Sequence, residues 1–93
     1  MNSRGTLKPD TSDMLDFRAV NVTGTREYQF SVDPNLRVED VAGTIAREMM
    51  LPDTTVYALR DDGSSRYLRD GNSIGEEIAP GTSVTVTPKT HLG

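Results

Sequence analysis

The sequence predicts a single α+β domain in which a mixed sheet of four to five strands packs on one helix. Three observations predict it. Two strand-like runs precede residue 33, one amphipathic stretch follows with apolar residues at helical spacing, and further strand-like runs fill the rest. The last of these, Ser83-Val84-Thr85-Val86-Thr87, alternates strictly and is the clearest strand in the chain. With 93 residues, no internal repeat and no heptad run, one core must serve the whole chain.

Residues 1–14 are rich in Ser, Thr, Asp, Gly and Pro without periodicity, and such a stretch buries too little to repay its ordering entropy. A mobile N-terminal tail is expected there, followed by a folded domain over 15–87 and a flexible C-terminal tail over 88–93. Leu15, Phe17 and Ala19 recur at period two, and Thr23-Gly24-Thr25-Arg26 separates them from Tyr28, Phe30 and Val32, which share one face. This spacing predicts a hairpin. Val20 and Val22 fall on the opposite parity, which leaves two readings open, a bulge or a misdrawn register. Asp33-Pro34-Asn35 ends the second strand, because Pro cannot donate to a ladder and Asp and Asn favour turns.

Val38, Val41, Ala42, Ile45, Ala46 and Met49 then form one apolar stripe, predicting a helix of about twelve residues. Glu39 and Asp40 suit the positive end of its dipole, whereas Arg37 at the cap position offers no side-chain acceptor. Gly43 within it reads as a tolerated position, at about 1 kcal/mol relative to Ala. Leu51-Pro52-Asp53 closes the helix. Val56-Tyr57-Ala58-Leu59 predicts a third strand, Tyr67-Leu68 a short fourth after the Asp61 to Ser65 turn, and Ile74 and Ile78 are spaced for one helical turn.

Composition excludes several functions. The chain has no Cys, so it has no disulfide, thiolate metal site or cysteine nucleophile. Its net charge of -4 mixes both signs without a basic cluster, which argues against nucleic acid as a partner. The longest apolar run, Met49-Met50-Leu51, is far below the roughly 20 residues of a membrane helix, and the N-terminus has no apolar signal core. A cytoplasmic monomer is expected, with no membrane association. His91 is the only imidazole and has no carboxylate at ligand spacing, so no metal is expected and an exposed tail histidine is the simpler reading. Ser64, Ser65 and Ser73 lie in turns where serine is common, and the pairs Asp61-Asp62 and Glu76-Glu77 read as solvated charges. No phosphate-cradling glycine pattern occurs. These readings predict no catalytic residues, no cofactor and no enzymatic activity.

From Tyr28 to Gly93 the order and spacing of the patterns resemble ubiquitin and its prokaryotic relatives, whose fold is the β-grasp. Val32-Asp33-Pro34 and Val38-Glu39-Asp40-Val41 through Ile45 look like that family's Val-Glu-Pro turn and helix start. Leu51-Pro52 is similar to its Ile-Pro, Leu68-Arg69-Asp70-Gly71-Asn72-Ser73-Ile74 to its Leu-Glu-Asp-Gly-Arg-Thr-Leu, and Ser83-Val84-Thr85-Val86 to its last strand. The resemblance implies a protein modifier. An ATP-dependent activating enzyme would adenylate the carboxylate of Gly93, with Lys89, His91 and Leu92 in contact with that enzyme, before transfer to target proteins. Glycine suits this chemistry because an extended backbone without a side chain can thread a narrow channel.

Two departures bear on this expectation. The family usually ends in Gly-Gly, and Leu92 stands before Gly93 here. With Tyr57, Leu59, Val84 and Val86 pointing inward, Val56, Ala58, Thr85 and Thr87 form the expected partner surface, which is small and polar where ubiquitin is apolar. Dedicated partners are therefore expected. Lys8 and Lys89 are the only lysines, and both lie in predicted tails. A modifier with this lysine pattern would be attached singly, although an Arg-rich codon preference explains the pattern as well. Two alternatives share the fold: a sulfur carrier bearing a C-terminal thiocarboxylate, against which Leu92 counts, and a non-covalent binding module in which Gly93 is irrelevant.

Overall fold

The computed structural model describes residues 14–92. The expected N-terminal tail, Met14 apart, and Gly93 lie outside the described residues. Among the described residues five strands form one sheet: β1 Leu15–Asn21, β2 Glu27–Val32, β3 Tyr57–Asp61, β4 Arg66–Tyr67 and β5 Ser83–Pro88. Helix α1 spans Val38–Glu48, and a single turn, α2, spans Ile74–Glu77. The sheet order is β2-β1-β5-β3-β4. β5 lies in the centre, parallel to β1 and antiparallel to β3. The sheet is thus mixed, as the sequence predicts.

The β1–β2 register is unbroken from Leu15 opposite Val32 to Val20 opposite Glu27. There is no bulge between Ala19 and Val20. Val20 simply faces outward, opposite Thr85 of β5, while Leu15, Phe17 and Ala19 face inward and are buried. The hairpin turn is held by Asn21, whose side chain accepts the Arg26 N–H at 3.0 Å and donates to Thr25 at 3.1 Å. Gly24 supplies the left-handed φ of 75° that this turn requires.

The buried stripe of α1 packs on the inner face of the sheet, with Val38, Ile45 and Met49 fully enclosed beside Phe17, Leu59 and Val84. Arg37 is the N-cap and makes no side-chain cap, as expected. The orphan N–H groups of the first turn are satisfied from elsewhere: Val38 donates to the Asn72 carbonyl at 2.9 Å and Glu39 to that of Asp70 at 3.2 Å. Ile74 N–H to Leu36 and Gly75 N–H to Pro34 continue this seam at 2.7 and 2.9 Å. Residues 70–75 thereby cap the helix in place of a side chain.

The other end of α1 closes with Leu51 N–H to the Ala46 carbonyl and Met50 N–H to that of Arg47, at 2.9 and 3.0 Å. This is a Schellman motif, and Met50 occupies its left-handed position at φ 58°, where glycine is usual. Gly43 has open space around it, since an added Cβ would meet only the Arg47 guanidinium at 3.8 Å. The sheet does not approach there, so the position is tolerated rather than required.

Glu77 braces the capping segment. Its carboxylate accepts from the Asn72 side chain at 2.8 Å and from the Arg69 N–H at 3.1 Å. The hydrogen bond from Asn72, helped by the Arg69 N–H and the charges of Arg69 and Arg66, holds its pKa below the ordinary carboxylate value against the opposing effect of burial. Folding therefore favours the charged form. The stabilisation is complete above the unfolded carboxyl pKa of about 4.3 and is lost as pH falls through the lower folded value. Glu77→Gln should accordingly destabilise the protein more at neutral pH than near pH 3, as read by urea midpoints at both. An equal loss at both would mean that the charge contributes nothing.

Candidate functional site

The central strand β5 delivers the chain to the site that the sequence singles out. Its last pair joins Pro88 to Tyr57, so Pro88 belongs to the strand rather than to the tail. Lys89–Leu92 then coils into a 3-10 turn. Two anchors hold the start of this turn. The Lys89 N–H donates to the Val56 carbonyl at 2.8 Å, and the Lys89 ammonium pairs with the Asp70 carboxylate.

Clefts open on both sides of Tyr57, which is buried and donates its hydroxyl to the Pro52 carbonyl at 2.9 Å. One, of about 460 Å³, lies against α1 and is lined by Glu39, Gly43, Arg47, Asp53, Asp70 and Lys89 above an apolar floor. The other, of about 500 Å³, is lined by Val22, Thr23, Pro52, Thr54, Pro88 and Thr90. Leu51, Thr55 and Tyr57 border both. Lys89 thus borders one cleft and Thr90 the other. The expected conjugation residue, Gly93, lies outside the described residues, and the structure places Lys89 at the root of the segment leading to it.

The expected partner surface is only partly exposed. Val56 is 63% exposed and Thr85 is half-buried, but Ala58 and Thr87 are 4% and 7% exposed and are corrected from surface to buried positions. These two face each other across β3 and β5. Small side chains on inner strands of a sheet are screened by the larger groups around them. Alternation identifies the face of a residue and not how deep it lies.

The outer face presents a polar network that local sequence patterns do not encode. Asp62 accepts hydrogen bonds from Thr85 at 2.6 Å, from Ser83 at 3.1 Å and from Arg60 at 3.4 Å. It ties the turn after β3 to the central strand, so it is not the freely solvated charge that the sequence suggests. Tyr67, opposite Arg60 on β4, is 43% exposed beside this network. Only the register, which brings β3, β4 and β5 together, reveals the cluster. Among the described residues no His, Cys, Asp or Glu group is arranged to hold a metal ion. No helix among them is long and apolar enough to cross a membrane.

No protein-family model and no curated protein matches the sequence. Solved structures do. The chain is similar to the ubiquitin of Caldiarchaeum subterraneum, with a TM-score of 0.65 and 21% identity over 78% of this chain and 90% of that one. It is similar to the ubiquitin-like domain of Plasmodium falciparum Dsk2, at 0.65 and 16% over 81% and 97%. A chain from a toluene 4-monooxygenase complex also superposes, at 0.67 and 19% over 78% and 95%. The central strand, the helix packed across the sheet and these superpositions together show that the chain has the ubiquitin-like β-grasp fold.

Proposed function

We propose that this chain is a ubiquitin-like protein modifier, akin to the prokaryotic members of that class, which is activated at Gly93 and joined to an amine of a target protein. The observation that carries the reading is the delivery of the C-terminal segment, by the central strand, to a position between two clefts at the edge of the domain. A partner gripping the clefts would hold the body while the segment enters its active site, with Lys89, His91 and Leu92 as its nearest contacts. The Gly93 carboxylate attacks the α-phosphate of ATP and expels pyrophosphate. A thiol of the activating enzyme displaces AMP to form a thioester, and the target amine displaces the thiol to form an amide. The chain supplies no catalytic group and needs no cofactor of its own. Activation that consumes ATP fits a cytoplasmic protein acting as a monomer.

A second reading is a non-covalent binding module. It is favoured by the fixed Asp62 network and exposed Tyr67 on the outer face, and by the similar chain within a toluene 4-monooxygenase complex. N-terminally tagged wild type and Gly93→Ala, compared in the native host on a denaturing gel, separate the two. Conjugates seen in the wild type and absent from the variant support the modifier. Identical patterns, with an unmodified free mass, support the module, and a free mass showing one oxygen replaced by sulfur would instead identify a sulfur carrier.

A further inference from the structure

We infer that Asp70 is a latch that keeps the C-terminal segment coiled against the domain, so that breaking its ion pair with Lys89 is the step that frees the segment to extend. This rests on the proposed role of the segment in activation, and it adds a control built into the fold.

The geometry converges on Asp70 from two directions. Its carbonyl accepts the Glu39 N–H at the start of α1, which fixes its backbone to the body. Its carboxylate takes the Lys89 ammonium, with the two side chains 31% and 39% exposed, and so ties that fixed point to the segment. The pair sits at the cleft lined by Glu39, Arg47 and Asp53, and only partly in water. A charge-assisted contact partly shielded from water is screened less by salt than a fully exposed pair.

The anchor has a direct consequence for reach. Four residues span about 8 Å in a 3-10 turn and about 13 Å when extended. A segment that must thread a channel needs the longer form, and the coil at Lys89–Leu92 withholds it. Lys89 lies at the first residue of the coil, where one ion pair and one backbone bond to Val56 control everything beyond. A partner that offers its own carboxylate to Lys89 would open the latch while binding.

The test uses the lysine pattern of the chain. A lysine-specific endoproteinase must take Lys89 into its pocket to cut before Thr90, and the only other lysine, Lys8, precedes Pro9 and gives a separate product mass. Cleavage after Lys89 should be about three- to tenfold faster in Asp70→Asn than in the wild type at low salt. Asp53→Asn, in the same cleft, should leave the rate unchanged. Added salt should speed the wild type towards Asp70→Asn and leave that variant where it is. Hydrogen exchange at the Lys89 amide of the wild type, which should also quicken with salt, checks the latch without any substitution.

Equal rates in the wild type and Asp70→Asn, or exchange indifferent to salt, would overturn the latch. In the host, Asp70→Asn should form conjugates faster. A chain that opens as expected but forms no conjugates keeps the latch and loses the modifier reading, so the two fail separately.

Discussion

Phe17→Ala should lower the free energy of unfolding by about 4 kcal/mol, the largest single loss expected in this protein. Phe17 is 1% exposed at the middle of β1 and stacks on Phe30 of β2 at 5.8 Å. Its removal deletes the transfer energy of the ring and leaves a hole that two paired strands and a helix cannot close without breaking backbone bonds. The aromatic row continues to Tyr28 at 6.3 Å, so the partly buried edge strand loses the platform on which it rests. Thermal unfolding followed by circular dichroism should show a midpoint lower by roughly 20 °C. A loss below about 1.5 kcal/mol would mean that the site collapses and that Phe17 is not central to the packing.

Gly75→Ala should cost about half as much, for the opposite reason. An added Cβ would lie 2.7 Å from the Pro34 Cβ and 3.0 Å from its carbonyl oxygen. Neither atom can swing aside, because the proline ring is stiff and the carbonyl accepts the Gly75 N–H. Either the seam between residues 34–39 and 70–75 shifts or the methyl is overpacked, at about 2 kcal/mol. The seam caps α1, so the helix start frays with it. Gly71→Ala provides the control, since nothing lies within 4 Å of the added atom, and should stay within about 0.5 kcal/mol of wild type. Urea midpoints for the pair measure the contrast. Equal effects would show that the close approach to Pro34 is relieved at no cost.

Gly75 and β5 differ in how far their constraints are legible in the sequence. Ser83 to Thr87 alternates because one face meets the helix and the other does not, and that pattern needs no knowledge of partners. The stripe of α1 is readable for the same reason. Gly75 carried no signal, because its constraint comes from Pro34, a residue remote in sequence and brought close only by the fold. Met50 was equally silent. Its left-handed conformation follows from the closing bonds of the helix, whereas a local reading expects glycine there.

The candidate site divides the same way. Lys89 could be singled out by position, but its bond to Asp70 could not, since each residue alone reads as an ordinary exposed charge. The burial of Ala58 and Thr87 escaped an argument from alternation, which has no term for how far neighbouring side chains overhang a small one. Asp62 reads as solvated in the sequence because its three donors come from two separate strands. In each case the missing information is a contact between segments far apart in the chain.

The central place of β5 also bears on how the protein is made. Synthesis proceeds from the N-terminus, so the strand that joins β1 to β3 is the last of the five to leave the ribosome. Until it does, the β1–β2 and β3–β4 segments lack the strand that joins them, so their inner edges and apolar faces have no cover. Such edges pair readily with other chains. Any interruption of translation before Ser83 therefore releases an adhesive fragment rather than a smaller version of the domain, and its clearance falls to chaperones and proteases.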